Sequence, residues 1–287
     1  KGESPDGSDD KNEFDRSIIP YSITSFVDNP SFTLFADHHY LFNIKDCSWI
    51  AGSCHGLICL TGIRFLRILR GTSTNYDQQE YEYCLRLWNP ATRAISEKIG
   101  CFIGPPGFNF SFGCDNSTGT FKVVVSQSKS VRVLSFGDNV WRNVESFPVL
   151  PLHADLKLLY GHSAVFCNGT LNWLASHNSR LKYITVEQLI ILSLDLGTET
   201  YNMYKLPKGF DKMPPSDSEP TVGVLGDLLC FSYYAYNETD FIIWQMKNFG
   251  DEESWTQFLK ISFHDLQLDQ EQAILYNWRD QRVERSR

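Results

Sequence analysis

The feature that most constrains this chain is a strand-turn-strand unit that recurs along it. Tyr83–Trp88 leads through Asn89-Pro-Ala-Thr92 into Arg93–Glu97. Val131–Phe136, Gly137-Asp-Asn139 and Val140–Val144 repeat the arrangement, as do Leu189–Leu194, Asp195-Leu-Gly-Thr198 and Glu199–Met203. A fourth copy joins Phe241–Met246 to Ser254–Leu259 by a longer turn through Gly250, and a fifth runs Ala273–Tyr276, Asn277–Asp280, Gln281–Glu284. Apolar residues stand on alternate or consecutive positions between clusters of Asn, Asp and Gly, which is how half-buried and fully buried strands read. Asn and Asp bond their own backbone at such turns and tolerate left-handed geometry, and Gly does so without steric cost.

The strands between these units complete the picture. Ser163–Cys167, Asn168-Gly169 and Thr170–Ala175 form a hairpin signal, since Asn-Gly suits a type I′ turn. Val222–Leu225, Gly226-Asp227 and Leu228–Phe231 repeat it, and His55-Gly56 before Leu57–Leu60 holds a similar place, while Phe110–Gly113 and Phe121–Val125 flank Asn116–Gly119. The turns start at 89, 137, 195, 248 and 277, so the first three intervals are 48, 58 and 53 residues and the last is 29. A period near 50 residues is that of kelch-type blades. The expectation is an all-β, kelch-like β-propeller of four to six blades, the last one incomplete, with short helical turns at 247–254 and 264–271. Residues 1–16, acidic and almost without apolar side chains, are expected to be a disordered leader, and 17–287 the folded domain.

Composition narrows the function classes. Aromatic residues are 14% of 287, which favours pleated sheet. The formal charge of -8, with basic residues scattered apart from Arg64, Arg67 and Arg70, argues against nucleic acid as a partner. No apolar run reaches the length of a membrane span. The eight cysteines include no C-x-x-C pair, and most lie in apolar runs such as Leu57-Ile-Cys-Leu60, so free thiols in a reducing compartment are expected. No metal site and no cofactor are expected. His38 and His39, adjacent on a strand, would face opposite sides, and there is no H-E-x-x-H motif, phosphate loop or G-x-S-x-G elbow. A non-enzymatic role is expected, with a propeller enzyme or a lectin-like domain acting on glycans as the alternative.

Recognition is then sought between strands. Tyr233, Tyr234 and Tyr236 gather near a loop and are candidates for partner contact, because tyrosine joins an apolar face to a polar tip. Packing within a blade is the competing reading. Gly71–Tyr81 and Ser176–Glu187 are polar, lack a strand pattern, and are candidate binding loops. Trp141, Tyr201 and Trp255 each follow a turn at a comparable place. Together with Trp88, Trp173 and Trp244 they are expected to pack blade on blade.

Several ordered blocks resemble the plant F-box-associated domain. Gly52-Ser-Cys-His-Gly-Leu-Ile-Cys-Leu60 is similar to its "GSCNGLICL" strand, and Leu87-Trp-Asn-Pro-Ala-Thr-Arg93 to its "LWNPATR" turn. Phe112-Gly-Cys-Asp115 with Phe121-Lys-Val-Val124 resembles "GFGYD…YKVV". Val165–Ala175, Ile191–Asp195, Ile243–Gly250 and Glu253-Ser-Trp-Thr256 continue the family's order, the last two resembling "IWVMKEYGVKESWT". The resemblance spans about residues 20 to 284 and includes the S-locus F-box proteins of pollen. It implies the substrate-recognition part of a Skp-cullin-F-box ubiquitin ligase receptor, cytoplasmic or nuclear, with a target protein as partner. A Skp-type adaptor would bind only through an F-box, which the family places before residue 20 and which is expected to be missing from this chain. The short passage from Phe263 to Ala273-Ile-Leu-Tyr-Asn277 is where relatives run longer, which is why the last blade is expected to be incomplete.

Overall fold

The computed structural model describes residues 49–69, 78–152, 164–177, 184–214, 220–235 and 240–262. Four antiparallel sheets succeed one another along the chain. The first holds β1 (Trp49–Cys54), β2 (Leu57–Leu69), β3 (Gln78–Asn89) and β4 (Ala94–Ile95) in that order, with β5 (Ile99–Gly104) also on β3. The second is β6 (Asn109–Asp115), β7 (Thr120–Gln127), β8 (Ser130–Ser135) and β9 (Trp141–Asn143), paired in chain order. In the third, β10 (Leu150–Pro151) and β11 (Val165–Cys167) both pair β12 (Thr170–Ser176), followed by β13 (Leu189–Asp195) and β14 (Tyr201–Lys205). The fourth is β15 (Thr221–Leu225), β16 (Leu228–Tyr234), β17 (Asp240–Met246) and β18 (Trp255–Ser262). The fold is thus all-β, with the successive meandering sheets of a kelch-like β-propeller. The fifth repeat, at 273–284, lies outside the described residues, as do the leader and the turn at 264–271.

The chain divides into two compact units: Gly56–Pro106 with residues up to Ile50, and Ala51–His55 with residues from Gly107 onward. In the second unit the third sheet is covered on both faces. Leu171, Trp173, Ala175, Ile190, Leu192 and Leu194 pack with Val124, Val131 and Val133 of the second sheet. The residues between them, Leu174, Leu189 and Ile191, pack with Leu229, Phe231, Ile242 and Met246 of the fourth. Alternate side chains leave a strand on opposite faces, so a strand buried twice needs an unbroken apolar run. That is the physical reason for Leu189-Ile-Ile-Leu192, and β12 is buried at every residue.

Two kinds of turn recur. In the two-residue hairpins, His55 and Gly56, Asn168 and Gly169, and Gly226 and Asp227 all have positive φ, as a type I′ turn requires. The longer turns share a different device. The amide of the fifth residue donates to the carbonyl of the first: Gly119 to Asp115 at 2.8 Å, Asn139 to Ser135 at 3.0 Å and Glu199 to Asp195 at 2.8 Å. That fifth residue is left-handed, with φ of 69°, 56° and 58°, and Arg93 holds the equivalent place at 60°. Side chains of Asn89, Asp115 and Asp195 each accept from backbone amides two residues on. Only one of these four left-handed positions is glycine, so sequence alone marks them poorly.

Two expectations are corrected here. Cys84 and Cys101 are joined by a disulfide between β3 and β5, where free thiols were expected. The stretch Gly71–Tyr81 is not all loop, because β3 already begins at Gln78. A short 3-10 turn at Glu252–Ser254, capped by Asp251, falls within the 247–254 segment.

Candidate partner-binding surfaces

Strand β16 sends Phe231 and Tyr233 to one face and Ser232 and Tyr234 to the other. Tyr233 is 6% exposed, its ring lies 4.6 Å from that of Phe210, and its hydroxyl donates to the Gly209 carbonyl at 3.0 Å. Burial pushes its phenol pKa up. It is a core residue, which corrects its place among the partner contacts: a satisfied hydroxyl in a sealed aromatic cluster has no face left to offer. Tyr234 is half-buried beside Phe241, with centroids 5.1 Å apart. Tyr236 lies outside the described residues, as do 71–77 and 178–183 of the candidate loops.

The aromatic residues read as packing groups take specific places. Trp88 is buried, opposite Ile58 and Ile95. Trp173 is buried edge-on to Phe147 at 5.3 Å. Trp141 is half-buried, and the Arg132 guanidinium lies 5.5 Å over its ring and 5.5 Å over Phe108. Tyr201 and Trp255 each open the last strand of a sheet and each donate to the preceding sheet's side of the unit: Tyr201 Oη to Glu145 O at 2.8 Å, Trp255 Nε1 to Lys205 O at 3.1 Å. Trp244 lies against Gly209, where a Cβ would come within 2.4 Å of its ring.

One polar cluster is buried between the second and third sheets. Lys122, 6% exposed, donates to Leu196 O and to Glu199 Oε1 at 3.1 Å, with Asp115 Oδ2 at 3.9 Å. Arg142 grips the same Glu199 through Nη2 and Nε and reaches Ser135 Oγ at 3.0 Å. Hydrogen bonds from Ser117, joined by those from Thr118 and the charge of Lys122, outweigh burial and hold the Asp115 carboxyl at about 2. Burial would raise Glu199, but Arg142 and Lys122 overcome it and lower its pKa. Every charge here has a partner within the fold, so the cluster ties sheet to sheet rather than facing a substrate.

The described free cysteines are buried. Burial, with Cys114 alongside, pushes the Cys54 thiol up to about 12, and burial pushes Cys167 up to about 11. Thiols held protonated are poor nucleophiles and poor ligands. Among the described residues there is no group of three His, Cys, Asp or Glu side chains placed to hold a metal ion, and no helix is long and apolar enough to cross a membrane.

A surface missed by the sequence reading lies on the β2–β3 hairpin of the first unit. Ile63 stands opposite Tyr83, Phe65 opposite Tyr81 and Ile68 opposite Gln79. The ring contacts run Phe65–Tyr81 at 5.6 Å, Tyr81–Tyr83 at 6.4 Å and Tyr83–Phe102 at 5.1 Å. The row is buried at Tyr83 and opens outward, to 50% exposure at Phe65 and 51% at Ile68. On the other face Arg64 pairs with Glu82 at 2.9 Å and Arg67 with Glu80 at 2.7 Å. The signal was present in Ile63-Arg-Phe-Leu-Arg-Ile-Leu69, but a bulge between Phe65 and Arg67 breaks the period-two pattern that would have revealed it.

What these features define is an all-β chain of kelch-like propeller type, with exposed apolar and charged surface on a rigid sheet framework. No known family model matches it. It is similar to an F-box/kelch-repeat protein of Arabidopsis thaliana, 26% identical over 249 residues that take in 81% of this chain and 58% of the relative. The chain therefore spans somewhat more than half the length of that relative.

Proposed function

We propose that this chain is the target-recognition domain of a receptor for a Skp-cullin-F-box ubiquitin ligase. Residues 17–287 form an F-box-associated domain of the type also found in S-locus F-box proteins, acting in the cytoplasm or nucleus without chemistry of its own. The observation that carries the reading is the similarity to an F-box/kelch-repeat protein across most of the chain. The buried cysteines and the Lys122, Asp115, Glu199 and Arg142 cluster accord with it, since they are taken up by packing and pairing inside the fold. In this role a target protein docks on the sheets and loops, and a Skp-type adaptor engages an F-box outside these residues.

The test is co-purification of the longer protein, F-box included, with a Skp-type adaptor and a cullin, followed by in vitro ubiquitination of proteins captured by this chain. Adaptor association and ubiquitin transfer to a captured protein are expected. A longer protein that fails to bind the adaptor would refute the assignment.

A further inference from the structure

Cys84 and Cys101 stand where the pairing of β3 with β5 breaks step. Tyr83 is opposite Phe102 and Leu85 is opposite Ile99, so Gly100 and Cys101 together face Cys84. Two residues against one make a β-bulge, and Gly100 accommodates it at a φ of 60°, in the left-handed region open to glycine. The disulfide crosses that bulge. Consecutive residues leave a strand on opposite faces. Cys84 and Cys101 therefore clamp one face of the strand pair, while their neighbours Tyr83 and Phe102 stack on the other with ring centroids 5.1 Å apart. The Tyr83 hydroxyl also donates to Pro105 O at 2.7 Å, one residue past the end of β5. Covalent bond and ring stack act at the same step of the ladder. The stack is also the buried end of the row that runs through Tyr81 to Phe65.

The two halves of the disulfide differ in access. Cys84 is 7% exposed, whereas Cys101 is exposed. Cys54, Cys59, Cys114, Cys167 and Cys230 are free and buried, so a small thiol in solution meets Cys101 more readily than any of these. On β2, Cys59 is opposite Leu87 and Gly62 is opposite Cys84, which puts Cys59 on the other face of the hairpin from the pair. In the cytoplasm and nucleus glutathione keeps thiols reduced, and the disulfides found there are usually transient and redox-sensing. Exposed disulfides are the labile, regulatory ones.

We propose that Cys84–Cys101 is a reversible thiol–disulfide switch, read by glutathione, that sets how firmly β5 holds Phe102 against Tyr83. It rests on the reading that places this chain in the cytoplasm or nucleus, and it gives the first sheet a means of regulation. A glutathione thiolate attacks Sγ of Cys101, the S–S bond breaks, and its electron pair leaves with Cys84, which takes up a proton. A second glutathione thiolate attacks the mixed disulfide, Cys101 leaves and takes up a proton, and oxidised glutathione departs. The protein disulfide gains two electrons and two protons while two glutathione molecules are oxidised to one disulfide. Oxidised glutathione drives the same steps backward. In the reduced form the bulge loses its covalent tie, and β5 opens from β3 more often.

The test equilibrates the folded 287-residue chain, without denaturant, in glutathione buffers of rising reduced share. Exchange is quenched with acid, free thiols are alkylated, and non-reducing peptide mapping follows residues 84 and 101. The cross-linked peptide is expected to disappear as the reduced share rises and to return when oxidised glutathione is restored. Hydrogen exchange read by mass spectrometry should show the amides of 99–104 exchanging about tenfold faster in the reduced form than in the oxidised form. Cys101→Ser, at an exposed position with the fold checked by circular dichroism, should exchange there as the reduced parent does, whatever the buffer. A pair that stays cross-linked in every glutathione buffer and opens only in denaturant is a permanent staple, and would overturn the proposal. So would a pair that never cross-links in oxidised glutathione, or equal exchange at 99–104 in the two forms. If the pair fails to titrate while the longer protein binds the adaptor, the switch is wrong and the receptor reading stands. If the pair titrates but the adaptor does not bind, the receptor reading fails and the switch stands.

Discussion

Replacing Lys122 with methionine removes an ammonium that the second and third sheets share. Its Nζ lies 3.1 Å from Glu199 Oε1 and 3.9 Å from Asp115 Oδ2. At an effective dielectric near 20 these attractions come to about 5 and about 4 kcal/mol. Desolvating the buried ammonium offsets several kcal/mol of that sum. The substitution also leaves the Leu196 carbonyl without its donor, about 1–3 kcal/mol, and two carboxylates without the cation between them. Lys122→Met is therefore expected to lower unfolding free energy by about 3–5 kcal/mol, the range for removing one partner of a buried pair. Glu199→Gln should cost less, about 1–2 kcal/mol, because the amide oxygen still accepts from Lys122 and Arg142. Urea titration followed by tryptophan fluorescence reads both, and a double-mutant cycle isolates the coupling between them. If Lys122→Met costs under about 1 kcal/mol, or the two changes add within about 0.5 kcal/mol, the cluster does not bind sheet to sheet as argued.

Further outcomes follow from other sites. Gly209→Ala drives a methyl into the Trp244 ring and should lower stability by about 1–3 kcal/mol, read as an earlier thermal transition. Tyr201→Phe should cost about 1 kcal/mol, the worth of the hydroxyl bond to Glu145 O, in the same urea assay. The Asp115 carboxyl is held at about 2 against an ordinary 3.8, so the stability it contributes is present above about pH 4 and is lost as pH falls toward 2. An acid titration of Asp115→Asn should be flatter than that of the parent across this window. Reducing Cys84–Cys101, 17 positions apart, should destabilise by about 3 kcal/mol on the chain-entropy account, and non-reducing peptide mapping should show the pair cross-linked beforehand.

Much of the architecture was legible along the chain because period-two burial and turn chemistry are local. Asn168-Gly169 and Gly226-Asp227 announce hairpins that the structure forms with both residues at positive φ. Leu189–Leu194 announces a strand covered on both sides, and its alternate residues do enter two different cores. Candidate recognition residues were harder to read, since a tyrosine's sequence neighbourhood does not say which face of β16 it occupies. Strand parity placed Tyr233 against Phe210 and left Tyr234 half-open. The half-exposed row of Phe65 and Ile68 escaped for a related reason: one bulged residue shifts every later side chain to the other face.

By itself, then, the order of residues determined that this chain forms meandering antiparallel strands in units of about fifty, because pleat and turn preferences act over a few neighbours. Tertiary structure alone decided which groups meet across units of sequence. Lys122 finds Glu199 and Trp255 finds the Lys205 carbonyl, 77 and 50 positions away. Cys84 finds Cys101 only because β5 returns to β3. The free energy of these contacts depends on burial and distance, and both come into being only when sheet packs on sheet.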